Sequence, residues 1–274
     1  MQDTSRVNSY DSICRDLALR TGFAVVFPEY TLAPEARYPT QQNQCYAVVK
    51  HIHSHGRAMG LSQSAFAIVG DSAGAQLSVA TIIRCVTHTP RIAIKSQVLL
   101  SPVTDTVTSD RDTRSEFTFF NGPLLTVPFL RKSICAYIPN PADRISELAS
   151  PRNISPRNAR RQPPTLIVNS SADPLRDDGV LFGEILQRAG VDAVIVTGHG
   201  QLHDSAVLEA TRGGATPRFV VKVVAGALVD ALSGGEMGAV DRKVGAGKRK
   251  KGEEEVVVVG EKKKKRTRTR KRDM

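Results

Sequence analysis

Residues 66–83, FAIVGDSAGAQLSVATII, run from an apolar stretch through a turn of small residues into a second apolar stretch. The first stretch has the length and composition of a buried β-strand, and the second repeats apolar residues at helical spacing. Ser72 lies at the bend between them. A strand followed at once by a tight turn and a helix predicts one unit of an α/β fold.

The same alternation of strand-like and helix-like patterns continues on both sides of this stretch. Further apolar runs of strand length are FAVVFPEY (23–30), IAIKSQVLL (92–100), TLIVNS (165–170) and DAVIVT (192–197). Between them, apolar residues recur with a period near 3.6, which is typical of amphipathic helices. Because the strands are almost continuously apolar, we expect a mostly parallel sheet that is covered by helices on both faces.

Composition predicts a globular protein with reduced cysteines. The chain has 274 residues, of which 41% are hydrophobic, enough to bury a full core. Its four cysteines are widely spaced and form no Cys-x-x-Cys pair, which argues against a zinc site or a disulfide framework. The polar opening MQDTSRVNSY does not resemble a signal peptide, and no apolar run reaches membrane-spanning length. We therefore expect a cytoplasmic protein without a membrane span.

The positive charge is concentrated at the carboxyl end. Residues 241–274 hold 15 Lys and Arg against 6 Asp and Glu, so 9 of the 11 net positive charges lie there. We predict a domain over 1–233, with an insertion at about 105–163, and a disordered basic low-complexity tail over 234–274. The runs KRKK and KKKKRTRTRKR could serve nuclear import, but nucleic-acid binding is not expected because no aromatic residues interleave for base stacking.

The bend at Ser72 has the pattern of a catalytic turn. Gly70-Asp71-Ser72-Ala73-Gly74 matches Gly-x-Ser-x-Gly, the nucleophile elbow, in which a strained strand-to-helix turn exposes the serine hydroxyl. Gly70 and Gly74 are needed because strand and helix approach too closely for a Cβ. A serine hydroxyl is a poor nucleophile at neutral pH, so it requires a general base that is itself oriented by an acid.

Candidates for the base and the acid follow the last two strands. Among the six histidines, His199 and His203 come directly after DAVIVT, where the carboxyl end of a parallel strand would bring them to the edge that carries Ser72. The remaining histidines lie at predicted helix ends: His51, His53, His55 and His88. Asp173 follows TLIVNS and is the candidate acid, whereas Asp177 and Asp178 begin the next helix and are expected to cap it.

Several segments together resemble one known family, the hormone-sensitive-lipase-like branch of the α/β-hydrolases, whose members are carboxylesterases and lipases. They are EYTLAPEARYP (29–39), GDSAG (70–74), SPVTD (101–105), ADPLRDDG (172–179) and the His203-Asp204 pair. The resemblance implies an α/β-hydrolase fold with Ser72 as nucleophile, Asp173 as acid and His203, rather than His199, as base. It also implies a small-molecule ester substrate, no cofactor, and a cap formed by the insertion, which follows the third retained strand.

The chain departs from the family at its amino-terminal part. The family's His-Gly-Gly-Gly segment, which supplies most of the oxyanion hole, has no counterpart, and Gln2, Asp3 and Thr4 align with its glycines. Of the oxyanion donors, the backbone N–H of Ala73 remains. The strand that leads into the glycine segment normally lies between 23–30 and 66–71, so we expect these strands either to pair directly or to leave backbone groups unsatisfied.

These departures leave two functions open. We expect an amino-terminally shortened member of the family, with the first strands of the sheet missing. Such a chain could be a serine hydrolase of small to medium acyl esters that acts through an acyl-enzyme on Ser72, with weak or no activity because the oxyanion glycine segment is absent. It could instead be a non-catalytic protein that keeps the pocket and binds a ligand.

Overall fold

A computed structural model describes residues 5–107, 113–233 and 254–262 of the chain, and the side chains of 10–107 and 113–233. The described strands are β1 Ala24–Val26, β2 Glu29–Tyr30, β3 Leu61–Asp71, β4 Ser96–Leu100, β5 Thr165–Ala172, β6 Ala193–Leu202 and β7 Glu254–Lys262. The described α-helices are α1 Ser5–Thr21, α2 Thr40–His55, α3 Ser72–Thr87, α4 Arg114–Thr118, α5 Val127–Tyr137, α6 Pro156–Ala159, α7 Arg176–Arg188, α8 Glu209–Arg212 and α9 Ala215–Leu232. Short 3-10 helices cover Gly56–Met59, Pro141–Ile145 and Pro151–Asn153.

The strands form one sheet in the order β1-β7-β3-β4-β5-β6, and β2 pairs with β7 beside this path. Every described strand pair is parallel. The predicted strand at 23–30 is divided into β1 and β2, because Pro28 between them has no N–H to donate to a ladder. The predicted parallel sheet is therefore confirmed, with this interruption.

The strand between β1 and β3 comes from the segment predicted to be a disordered tail. β7 pairs with β1, where Ala24 lies opposite Val256, and with β3, where Gly70 lies opposite Gly260. The prediction of disorder is therefore wrong for Glu254–Lys262, while 234–253 and 263–274 lie outside the described residues. Residues 1–4, which align with the family's glycine segment, also lie outside them.

The expectation that β1 and β3 would meet directly or leave backbone groups unpaired is also wrong. β7 occupies the position between them, so each of the two strands has a ladder partner. The sequence supports this placement because Val256–Val259 are four consecutive β-branched residues, which favour an extended backbone. Interior strands need partners because unpaired buried N–H and C=O groups are costly.

Helices cover both faces of the sheet, as predicted. On one face, α1 and α9 pack on Ala67 and Val69 of β3. On the other face, α2 and α3 pack on Phe66 and Ile68, the residues that alternate with them. Farther along the same face, α3 and α7 pack against β4 and β5. The alternation follows from the two-residue period of a strand, which sends successive side chains to opposite faces.

The insertion after β4 carries short helices over the carboxyl edge of the sheet. Within the described part of 105–163, these are α4, α5, α6 and two 3-10 helices. Side chains of α5 join Val103 and Leu175 in a small apolar cluster. None of the helices in the described ranges combines the length and apolarity that crossing a bilayer requires.

Candidate active site

Ser72 lies at the junction of β3 and α3, at the carboxyl edge of the sheet. Its φ is +49°, a left-handed conformation that costs a non-glycine residue about 1–3 kcal/mol. Gly70 permits the close approach of helix to strand, because a Cβ there would lie 2.4 Å from the carbonyl oxygen of Gly74 and from Ser78 Oγ. The GDSAG segment thus adopts the strained strand-to-helix turn that its sequence pattern predicts.

The hydroxyl of Ser72 meets the imidazole of His203, which in turn meets Asp173. Ser72 Oγ lies 3.0 Å from His203 Nε2, and His203 Nδ1 lies 2.8 Å from Asp173 Oδ2. Asp173 is fully buried, and its second oxygen accepts the N–H of Leu175 at 2.9 Å. The carboxylate is therefore fixed, and it selects the tautomer in which Nδ1 carries a proton and Nε2 faces Ser72.

His199 takes no part in this arrangement. β6 extends to Leu202, five residues beyond the predicted strand, so His199 lies within the strand and is exposed. His203 follows the strand and is buried. The other histidines lie at the ends of helices α2 and α3, where His53 contacts the Gln63 carbonyl and His88 contacts the hydroxyl of Tyr46.

Asp204 is a further charged group at this site, and the sequence analysis assigned no role to it beyond its place in the His-Asp pair. Its Oδ2 lies 3.1 Å from Nε2 of His203, on the same side of the ring as Ser72. Burial alone would lower the pKa of His203. The carboxylates of Asp204 and Asp173 outweigh burial and raise the pKa of His203 well above its usual value of 6.5.

Asp177 and Asp178 bind neighbouring segments instead of capping their own helix. The N-cap residue of α7 is Leu175, and no side chain caps this end. Asp178 is fully buried, and its Oδ2 accepts the backbone N–H of Thr104 and of Asp105. Asp177 accepts the N–H of Ser115 in the insertion at 2.8 Å. The predicted capping role is wrong, and the two carboxylates tie the loop after β4 and the insertion to the acid-bearing side of the site.

A cavity of about 320 Å³ opens at Ser72 and His203. The insertion supplies one apolar wall, and strand β2, its following loop and α3 supply the other. The insertion's apolar lining residues are Leu124, Leu125, Phe129, Leu130 and Ile134. Leu124 and Phe129 are each 61% exposed, so they form the rim, whereas Leu125, Leu130 and Ile134 are buried. The cavity is therefore suited to an apolar group bound beside the serine hydroxyl.

Ala73, the predicted oxyanion donor, also lines this cavity. It is the second residue of α3, and the first N–H groups of a helix have no acceptor within the helix. The positive end of the helix dipole lies at the same place and favours an anion there. Among the described residues, no group of three His, Cys, Asp or Glu side chains could hold a metal ion.

Comparison with known proteins gives a consistent family assignment. A family model described as alpha/beta hydrolase fold matches residues 4–207. An esterase of Gibberella moniliformis is 37% identical over 218 residues, covering 79% of this chain and 68% of that protein. An ethyl acetate hydrolase of Pseudomonas putida is 29% identical over 212 residues, covering 76% of this chain and 65% of that protein. This chain thus spans about two thirds of the length of these curated relatives.

A solved structure agrees with these sequence matches. Carboxyl esterase 2 of Tuber melanosporum superposes with a TM-score of 0.78 at 32% identity, covering 82% of this chain and 73% of that one.

Proposed function

Since the chain belongs to the hormone-sensitive-lipase-like group of the α/β-hydrolase fold family, we propose that it hydrolyses carboxylic esters through an acyl-enzyme formed on Ser72. The observation that carries this proposal is the continuous contact from Ser72 Oγ through both nitrogens of His203 to Asp173, at the floor of an apolar cavity. Those contacts are the ones that a serine nucleophile, its base and the orienting acid require.

The reaction follows from this geometry in two halves. In the first, Nε2 of His203 takes the proton of Ser72 while Oγ bonds to the ester carbonyl carbon. The tetrahedral oxyanion forms beside the N–H of Ala73 and the positive end of α3. The intermediate then expels the alcohol, which leaves with the proton from Nε2, and the acyl group stays on Ser72.

In the second half, water replaces the alcohol. Nε2 removes a proton from water as the water oxygen bonds to the acyl carbon. Collapse of this second intermediate breaks the bond between that carbon and Ser72 Oγ, releases the carboxylic acid, and returns the proton from Nε2 to Oγ. Asp173 holds the ring orientation throughout and stabilises the imidazolium that forms in each half.

The cavity sets the size of the substrate. Its volume of about 320 Å³ is near the lower limit for small-molecule pockets, and its lining is mainly apolar. We therefore propose esters with small to medium acyl groups. The similarity to an ethyl acetate hydrolase favours the same range.

A fluorophosphonate probe and a chain-length series test this proposal. The wild-type chain should be labelled, and it should hydrolyse p-nitrophenyl acetate and butyrate faster than the palmitate. Ser72→Ala should abolish labelling and lower kcat by about 10⁴-fold or more. Ser64→Ala, which changes an exposed serine at the far end of β3, is the matched control and should behave as wild type. Absence of labelling in folded wild-type protein would contradict the proposal.

A non-catalytic ligand-binding protein is the second candidate, and one observation favours it. Of the backbone N–H groups that form the family's oxyanion hole, the described residues include only that of Ala73. Loss of one such donor typically slows turnover about 10²- to 10³-fold. A small ester that raises Tm without yielding product would support this candidate. Product formation that depends on Ser72 would rule it out.

A further inference from the structure

Two groups compete for the same nitrogen of His203. Ser72 Oγ lies 3.0 Å and Asp204 Oδ2 lies 3.1 Å from Nε2. Asp204 is held there by its backbone, whose φ of +53° places it in the left-handed region. Its side chain is only 10% exposed, and its second oxygen has no hydrogen-bond partner among the described residues. The carboxylate is therefore fixed beside the imidazole rather than hydrated at the surface.

The position of Asp204 favours one protonation state of the ring. An ionised carboxylate 3.1 Å from Nε2 is stabilised when that nitrogen carries a proton, and it is repelled by the lone pair when the nitrogen does not. Nδ1 already carries a proton directed at Asp173. When Nε2 also gains a proton, His203 becomes an imidazolium that pairs with both carboxylates. An imidazolium has no lone pair with which to take the proton of Ser72.

The charges that face His203 favour this state. Asp173 approaches from the end of β5, Asp204 lies on the turn after β6, and Asp71 lines the same cavity from the end of β3. Tyr10 of α1 donates a hydrogen bond to Asp71 at 2.8 Å. The described residues that line the cavity include no Lys or Arg. The two carboxylates that contact the imidazole, Asp173 and Asp204, therefore face no competing Lys or Arg on the described cavity wall.

We propose that Asp204 restrains the enzyme: its carboxylate binds the protonated imidazole of His203 and competes with Ser72 for Nε2. The proposal rests on the proposed ester hydrolysis, because it concerns the base of that reaction. Activity then requires His203 to lose its proton. Once Nε2 bears a lone pair, it repels the carboxylate of Asp204 and accepts the hydroxyl of Ser72. The raised pKa of His203 agrees with this arrangement.

Asp204→Asn tests the proposal, because asparagine keeps the size of the side chain, tolerates the left-handed backbone and carries no charge. The acid limb of the kcat/KM profile should move to lower pH by about one unit, and the rate at pH 7 should rise severalfold, up to about tenfold. Asp192→Asn, at an exposed aspartate before β6, is the matched control and should leave the profile unchanged. Asp204→Gly, which also suits the positive φ, serves as a second variant if the first folds poorly.

NMR titration of the His203 ring in the Ser72→Ala background separates this proposal from the proposed function. The ring signal is assigned by its loss in His203→Gln, and its midpoint should fall by about one pH unit when Asp204→Asn is added. A midpoint that stays constant overturns the role of Asp204, even if the enzyme hydrolyses esters. A midpoint that falls in a protein without esterase activity supports the role of Asp204 and rejects the proposed function.

Discussion

The hydroxyl of Tyr10 donates a hydrogen bond of 2.8 Å to Asp71, which links helix α1 to the residue before Ser72. Both side chains are buried, although 61 residues separate them in sequence. α1 is thereby joined to the strand-to-helix turn that positions the hydroxyl of Ser72. The acceptor of the Tyr10 hydroxyl is a carboxylate, and hydrogen bonds to charged groups contribute more to stability than hydrogen bonds between neutral groups.

We expect Tyr10→Phe to lower the free energy of unfolding by about 1–2 kcal/mol, because a buried carboxylate loses a donor. Urea unfolding followed by circular dichroism measures the effect. Tyr38→Phe is the matched control, since it removes the same hydroxyl from a partly buried neutral contact with Ser146. An equal or larger loss in the control would show that the charge on Asp71 adds nothing.

Gly70→Ala should destabilise the protein by about 3 kcal/mol and prevent labelling of Ser72, since the new Cβ would clash with the Gly74 carbonyl and Ser78. The matched control is Gly226→Ala in α9, where a Cβ meets nothing within 4 Å. That change should stabilise the protein by about 0.5–1 kcal/mol through helix propensity. Thermal unfolding of the two variants provides the comparison. A wild-type Tm for Gly70→Ala would contradict the inference that the turn has no room for a Cβ at this position.

The contribution of His203 to the stability of the fold should depend on pH. Its pKa is raised in the folded state, so the contribution is complete below about pH 6.5 and is lost as pH rises through the folded pKa. The difference in unfolding free energy between Ser72→Ala and Ser72→Ala/His203→Gln should therefore shrink with rising pH. His199→Gln is the control, because the His199 ring forms no ion pair among the described residues. A difference that grows with pH would contradict this sign.

Val257→Pro tests the position of β7. Val257 lies opposite Val25 of β1 and Ala67 of β3, and proline would remove its N–H from the ladder. We expect a loss of about 2 kcal/mol or more. Val257→Ile keeps the N–H and the β-branched side chain, so its unfolding should match that of the wild type. Identical unfolding of the proline variant would place Val257 outside the sheet.

Much of this fold could be predicted from local pattern. Apolar runs such as FAIVGD and TLIVNS predict strands, and their order along the chain brings Ser72, Asp173 and His203 to one edge. The structure does bring these three side chains into contact. Their roles in catalysis remain a proposal that the labelling experiment tests. Local pattern succeeds here because each residue follows directly from the end of its own strand.

The features that could not be predicted depend on contacts between distant segments. The four valines of β7 lie between acidic and basic runs, so composition predicts disorder, and their strand partners are about 190 and 230 residues away in sequence. The β-branched run Val256–Val259 was the available signal. The contact of Asp204 with Nε2 could not be predicted for another reason, because Asp204 has a positive φ that no local sequence pattern indicates. Asp178 binds Thr104 and Asp105, which no helix-start rule anticipates.

The position of β7 in the sheet bears on folding during synthesis, because β7 is made after both of its neighbouring strands. The ribosome makes β1 and β3 long before Glu254–Lys262, yet that segment lies between them. Until Glu254–Lys262 leaves the exit tunnel, the edges of β1 and β3 that face it lack this strand partner. Unpaired strand edges can pair with other chains, so we expect the protein to aggregate more readily during translation than after β7 is in place.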